Sequence, residues 1–154
     1  MRVLDAINLI LPVLGEHPVT SVDQRHPTVG IILPIVEAEL NEQLLNGWWF
    51  NEFPTTLYPD LAGEIALTTD TLAFYPDHDQ AVARGKRLFN VSRGDFFWPK
   101  PVKGRAVVSV PFEELPESVA RMITYSTLLR AYATDIGVES QLEVWQGQFA
   151  DSRF

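Results

Sequence analysis

Gly47-Trp48-Trp49-Phe50-Asn51 is the stretch that decides the fold, because a helical pattern ends there at a glycine and three large aromatic residues follow. Each such side chain buries on the order of 150–250 Å² when packed. Three in a row must therefore pack either against two opposed surfaces or against one core and one partner. A strand would point Trp48 and Phe50 to one side and Trp49 to the other. The stretch therefore predicts a joint between a helical layer and a β layer, with Trp49 as a candidate docking residue.

Apolar residues before this joint recur at helical spacing. The spacing over residues 4–14 predicts a first helix that ends at Gly15, with Pro12 disturbing its last turn. After a loop, the pattern from Ile31 onwards predicts a second helix that ends at Gly47. Pro34 either opens this helix or kinks it, and we favour opening or a short preceding turn. Both helices present one apolar stripe and therefore need a partner surface.

Short alternating segments separated by turn residues follow the joint. They predict strands at 65–67, 72–75, 87–91 and 106–110, and an antiparallel sheet or small sandwich. The basic run Arg84-Gly85-Lys86-Arg87 is typical of a hairpin end rather than of a DNA-binding groove.

Helical spacing returns near the C-terminal end of the chain. Pro116 suits the first position of a third helix, whose apolar stripe comprises Val119, Met122, Ile123, Ser126, Leu129 and Ala133. A fourth helix is predicted over residues 138–149, with Trp145 and Phe149 on one face.

The order of these segments predicts an α+β fold. We expect a four-helix bundle formed from both chain ends, with the antiparallel β region inserted between helices 2 and 3. We expect a single domain, 1–154, with a helical part at 1–47 and 116–154 and a β part at 48–115.

Composition excludes several classes of protein. The chain has 154 residues, no cysteine and a net charge of −8, which exclude thiol chemistry and argue against general nucleic-acid binding. No apolar run approaches the ~20 residues of a membrane span, and the N-terminal sequence lacks the pattern of a signal peptide. We expect a protein made in the cytoplasm without processing.

Candidates for catalysis or ligand binding are weak. Asp77 and Asp79 could share a cation if they lay on one strand face, and the acids Glu113, Glu114 and Glu117 could act as a general acid and base. A solvated turn and helix capping explain the same residues more simply. Arg93-Gly94-Asp95 spells an adhesion tripeptide, but Gly-Asp between strands is also an expected turn. No phosphate-binding loop is present.

The aromatic residues are the stronger candidates. Phe96-Phe97-Trp98 cannot all face one core, so some of them should cover another element or another subunit. The predicted interface residues are Trp48, Trp49, Phe96, Phe97, Trp98, Trp145 and Phe149.

Ordered motifs across the chain resemble the tail tubular protein A family of short-tailed bacteriophages. They are Ala6-Ile7-Asn8 through Gly15-Glu16, Pro18-Val19, Gly47-Trp48 with Phe50-Asn51, Leu57 with Pro59-Asp60, and Glu114-Leu115-Pro116-Glu117. The resemblance implies a non-enzymatic adaptor in the virion tail, without a cofactor. It also implies a homo-dodecameric ring between the portal protein and the tail nozzle protein, which extends the DNA channel.

Several further expectations follow from this role. Genomic DNA would pass without sequence-specific binding, because carboxylates repel phosphate. The acids proposed for the channel wall are Glu37, Glu39, Glu42 and Asp70. A ring needs two different complementary patches on each subunit, and the isolated protein could still be monomeric. The alternatives left open are a host-surface binding module and a small metal-dependent hydrolase.

Overall fold

The computed structural model describes residues 1–23 and 25–135. The chain divides into two compact units, one formed by residues 41–110 and the other by residues 1–40 with the described part of 111–154. The predicted division placed the β part at 48–115 instead. That the two form one domain stays a prediction.

The described residues contain three α-helices. They are α1 (Val3–Ile10), α2 (Pro27–Leu45) and α3 (Glu117–Asp135), and 3₁₀ turns cover Leu11–Leu14 and Phe112–Glu114. A four-helix bundle is therefore not shown. The predicted fourth helix, with Trp145 and Phe149, lies outside the described residues.

The end of the first helix follows the prediction. Pro12 lies in the 3₁₀ turn, and Gly15 ends the segment with a left-handed φ of 81°. Its amide donates to the Pro12 carbonyl, which is one way of satisfying a carbonyl left free at a helix end. A proline near the last turn thus tightens the helix rather than ending it at once.

The start of α2 differs from the prediction. Pro27 occupies the first helical position, and the Val29 amide donates to His26 Nδ1 at 3.3 Å. A proline is tolerated at that position because its missing amide would have no helical partner. Pro34, predicted to open the helix, lies inside it and is exposed. The favoured prediction, opening at Pro34, is wrong, because a proline inside a helix removes one backbone hydrogen bond without always ending the helix.

The buried face of α3 is rotated from the predicted stripe. Leu129 is exposed and Ser126 half-buried, whereas Thr124, Thr127 and Ala131 are buried. The hydroxyls of the two threonines donate to carbonyls four residues earlier, Ala120 and Ile123, each at 2.8 Å. Because these bonds satisfy the hydroxyls, threonine can be buried where an apolar pattern would not place it. Pro116 precedes the helix, and its carbonyl accepts from Val119 and Ala120.

The other unit holds five strands in the described chain. They are β1 (Glu52–Leu57), β2 (Thr71–Pro76), β3 (Ala81–Arg84), β4 (Arg87–Asn90) and β5 (Val102–Val108). One antiparallel sheet has the order β1-β5-β2, and β3 with β4 forms a separate hairpin. This confirms antiparallel pairing and the hairpin end at Arg84–Arg87.

Two strands were missed and one predicted strand was wrong. β1 contains Pro54, which suppressed its prediction, but β1 is an edge strand, where proline costs least. β3 was missed because it is short and exposed. Residues 65–67 form no strand; Ala66 makes an isolated bridge to Arg87.

The core of this unit lies among the strands and the loops that join them. It comprises Ile65, Phe74, Leu88, Trp98, Val102 and Ala106, with Leu57 and Ala81 packed at its margin. Gly104 on the central strand lets β2 approach, because a Cβ there would collide with the Tyr75 carbonyl and the Phe74 ring. The sheet therefore depends on a small residue at this position.

Candidate assembly surfaces

The Trp48–Asn51 segment is a turn, which corrects the strand geometry used in the sequence prediction. The amides of Asn51 and Glu52 both donate to the Trp48 carbonyl, at 3.1 and 3.0 Å. The rings of Trp48 and Phe50 stack with centroids 6.1 Å apart, while Trp49 meets the edge of Phe50 at 5.5 Å. Trp49 is 81% exposed. The turn thus presents Trp49 outwards while Trp48 and Phe50 pack together.

Asn51 holds this turn in place, a role that the sequence prediction did not assign to it. Its side chain is fully buried and joins three backbone groups. Oδ1 accepts from the Trp48 amide at 2.6 Å, and Nδ2 donates to the carbonyls of Leu44 and Val108 at 2.9 and 3.1 Å. The side chain therefore links the end of α2, the aromatic turn and β5. An asparagine after a glycine-terminated helix is the available sequence signal.

The ends of the joint are fixed as well. Gly47 has a φ of 74°, a conformation that favours glycine at a helix end. The Trp48 indole N–H donates to the Gln43 carbonyl at 2.7 Å, which satisfies another carbonyl of the last helical turn. Trp49 is therefore displayed from a turn held at both sides, so docking it would cost little conformational entropy.

The second predicted aromatic group is divided between core and surface. Trp98 is 4% exposed, and its indole N–H donates to the Leu88 carbonyl at 2.8 Å. Its side chain therefore belongs to the core and is not offered to a partner. Phe97 is exposed on one side and covers Gly63, where a Cβ would collide with its ring. Phe96 is half-buried.

The loop carrying these aromatics is ordered by two polar side chains. Asn90 is buried; its Nδ2 donates to the Phe97 carbonyl at 3.0 Å, and its Oδ1 accepts from the Arg93 amide at 3.3 Å. Asp95 Oδ1 accepts from the Phe97 amide at 3.1 Å. This bond, followed by the interaction with Arg93, holds the pKa of Asp95 below its ordinary value.

The β3–β4 hairpin carries a stack of guanidinium groups and aromatic rings. Arg84 lies 4.4 Å from the centroid of Phe89, and Arg87 lies 3.8 Å from that of Phe96. The two rings meet edge to face at 5.2 Å. Cation–π contacts of this kind hold arginine side chains in place while they stay exposed. The sequence prediction recognised the hairpin end but not the stack.

The acidic residues considered for metal binding or catalysis form no metal-binding cluster in the described residues. Asp77 is exposed and Asp79 half-exposed in the turn after β2. Among the residues that the structure describes, no three His, Asp or Glu side chains gather as a metal site would require. Glu113 accepts from the Val3 amide at 3.4 Å, and Glu117 pairs with Arg121 at 3.3 Å.

The contacts of two other predicted sites argue against the roles that the sequence suggested for them. Arg93 and Asp95 of the adhesion-like tripeptide pair with each other at 3.3 Å, so neither is presented alone. Glu39, proposed for a channel wall, is buried and pairs with Arg130 at 2.6 Å. The Glu39–Arg130 ion pair is therefore part of the structure of the helical unit. Glu37, Glu42 and Asp70 are exposed, as that role requires.

Comparison with known proteins decides the class of protein. The family model described as "Tail tubular protein" matches residues 4–154. The chain belongs to the tail tubular protein family. It is also 32% identical over 143 residues to "Tail tubular protein A" of Klebsiella phage KP34, covering 91% of this chain and 76% of that protein.

Membership of the tail tubular family fixes the general role. Tail tubular proteins are structural components of the phage tail and not enzymes, so this chain is a structural protein of the virion tail. Within the described residues, no helix has the length and apolar character needed to span a membrane.

Proposed function

We propose that this tail tubular protein is an adaptor that forms a homo-dodecameric ring between the portal protein and the tail nozzle protein and extends the DNA channel. The family match supports a structural place in the tail. The observation that carries the assembly role is Trp49, which is 81% exposed on a turn held by the buried Asn51. Large aromatic anchors on prepared turns are typical of residues that dominate an interface.

A ring of this kind needs two different patches on each subunit, because each copy meets one neighbour on either side. The aromatic turn at Trp48–Phe50 supplies one candidate. Phe96 and Phe97 supply another, at a separate loop of the same unit. The exposed acids Glu37, Glu42 and Asp70 are suited to a channel wall, since they would repel DNA phosphates and let the genome slide.

Purified chain and purified portal protein provide the test. Native mass spectrometry of the mixture should show a ring of this chain bound to each portal, whereas the chain without portal stays monomeric. A nozzle protein added later should bind the portal with its ring but not the bare portal. Absence of portal binding at micromolar concentration, together with isolated tails that lack this chain, would contradict the proposal.

A host-surface binding module is the second candidate, and its motif is not favoured by the contacts. The guanidinium of Arg93 is engaged by Asp95 and lies 4.7 Å from the Phe97 ring centroid. A receptor would have to separate the pair before binding either charge. If Asp95→Ala abolished binding of the protein to host cells, this second function would be supported instead.

A further inference from the structure

Charge is distributed unevenly along the chain. Residues 41–110 carry seven Lys or Arg and eight Asp or Glu, whereas the remaining residues carry five and twelve. Nearly all of the net charge of −8 therefore belongs to the sequence of the helical unit. The β unit is close to neutral, so a local group of cations on it can set the local potential.

The cations of the β unit are concentrated at the β3–β4 hairpin. Arg84 and Arg87 lie directly opposite each other in the register of the two strands, with Lys86 in the loop between them. Like charges facing each other across a strand pair are destabilising. Such a pair at a hairpin end therefore does not serve the stability of the hairpin.

The contacts of these side chains hold them in place without neutralising all of them. Arg87 pairs with Glu64 at 3.1 Å. Arg84 lies on Phe89 and has no carboxylate partner in the described chain. Lys86 Nζ donates to the carbonyls of Thr69 and Thr71, at 3.4 and 3.3 Å, which leaves its charge uncompensated. The hairpin thus offers two fixed positive charges to a partner.

The helical unit shows the opposite imbalance. Its four described arginines are each paired within the unit: Arg2 with Asp5, Arg25 with Asp23, Arg121 with Glu117 and Arg130 with Glu39. Four described glutamates have no cationic side chain as a partner there: Glu16, Glu37, Glu113 and Glu114. Glu113 and Glu114 are exposed neighbours in the 3₁₀ turn before α3.

We infer that the β3–β4 hairpin of one copy docks on the acidic helical unit of the next copy, with Arg84 and Lys86 facing the Glu113–Glu114 turn. The inference rests on the proposed ring and names the contact between its subunits. Charge complementarity supports it. The hairpin carries cations without carboxylate partners, and the Glu113–Glu114 turn carries carboxylates without cationic partners. Such a contact joins different patches, as a closed ring requires.

DNA is the competing partner for a basic hairpin, and the described surface fits it less well. Proteins that bind the DNA backbone neutralise several phosphates with clustered Lys and Arg. Here two uncompensated cations stand on a chain with a net charge of −8. Two cations are enough for a contact with an acidic surface of a second copy. Charges at the rim of a protein interface mainly set the orientation and the association rate.

Charge reversal on each surface, and on both together, tests the contact. Arg84→Glu with Lys86→Glu should lower ring formation on the portal roughly tenfold at an ionic strength of about 0.1 M. Glu113→Lys with Glu114→Lys should lower it to a similar extent. The protein with all four changes should form rings again, because the two opposite charges are exchanged. Sedimentation velocity and native mass spectrometry measure the rings, and circular dichroism checks folding.

Lys100→Glu with Lys103→Glu is the matched control. Both lysines are exposed on the same unit, and the pair of changes alters the net charge equally. This variant should form rings like the wild type. Raising the ionic strength to about 1 M should reduce the difference between wild type and hairpin variant, because the Debye length falls to about 3 Å.

The outcomes separate the inference from the proposed function. If wild-type rings form and the hairpin variant assembles equally well, the inference is overturned and the adaptor role stands. Failure of the four-change protein to recover, with duplex DNA binding that the hairpin changes abolish, would also overturn it in favour of DNA. If wild-type protein forms no ring on the portal, the adaptor role and this contact both fail.

Discussion

At the scale of single residues, Asn51 matters most to the joint. One buried side chain makes three hydrogen bonds to backbone groups of the helix end, the turn and β5. Removing it leaves the Trp48 amide without its partner and takes one hydrogen bond from the Val108 carbonyl, whereas the Leu44 carbonyl keeps the Gly47 amide. A polar group left without a partner costs more than the hydrogen bond itself contributes. The position of Trp49 therefore depends on a neighbour whose own side chain is fully buried.

Asn51→Ala should lower the free energy of unfolding by about 2–4 kcal/mol. Asn46→Ala is the control, because Asn46 is exposed just after the same helix and should change stability by less than about 0.5 kcal/mol. Urea unfolding followed by tryptophan fluorescence measures both. Equal stability of the two variants would show that the three bonds do not hold the joint.

Asp95 gives the aromatic loop a dependence on pH. Its pKa is lowered in the folded chain, first by the Phe97 amide and then by Arg93. A lowered pKa contributes stability above the ordinary value of 3.8, and this contribution is lost as the pH falls through the lower folded value. Hydrogen exchange of the Phe97 amide should therefore be protected near neutral pH and lose that protection only at a pH below 3.8, where the folded Asp95 becomes protonated. Asp95→Asn should remove the pH dependence; an unchanged profile would exclude Asp95 as its source.

At the scale of elements, the three-stranded sheet depends on the close approach of β2 to β5. Gly104 permits it because no Cβ stands between the central strand and the Tyr75 carbonyl. Its conformation is not the constraint, since its φ is not among the positive values. The constraint is space, and the neighbours include backbone atoms that cannot turn away.

Gly104→Ala should therefore destabilise the chain by about 3 kcal/mol through overpacking. Gly94→Ala is the contrasting variant: Gly94 has a φ of 77°, but a Cβ there would meet nothing within 4 Å. It should cost about 1–2 kcal/mol from backbone strain alone. Chemical unfolding gives both values, and hydrogen exchange of the β2 and β5 amides locates the damage. A larger loss for Gly94→Ala would contradict this account.

At the scale of the whole molecule, the described aromatic residues divide into those buried in a core and those exposed to solvent. Trp98 fills the core of the β unit, while Trp49 stands in solvent. Both were predicted as interface residues from the same kind of aromatic run. Their different burial gives them different expected roles in the tail.

Trp49→Ala should leave stability within about 0.5 kcal/mol of wild type and greatly weaken ring formation on the portal. Trp98→Ala should instead cost about 3–5 kcal/mol, because it opens a cavity in the core. Tyr75→Ala, an exposed aromatic change on β2, is the control for assembly. Thermal unfolding and portal binding measure the two effects. An unfolded Trp49→Ala chain would place Trp49 in the core instead.

The sequence by itself determined where two helical segments end, the antiparallel pairing of the strands and the family. Gly15 and Gly47 end helical segments where predicted, because positive φ favours glycine whatever packs nearby. Local turn residues likewise predicted the antiparallel pairing and the hairpin at Gly85. The ordered motifs identified the tail tubular family, which its family model confirms.

Only the tertiary structure decided which side chains are buried and which polar groups meet. The burial of Thr127, and of Glu39 with its ion-pair partner Arg130 in another helix, depends on contacts between segments that local patterns do not specify. The same holds for Trp98, which an aromatic run could not assign to core or surface. Burial is a property of contacts between distant segments, so it is settled by packing, whereas turns and helix ends are settled within a few residues.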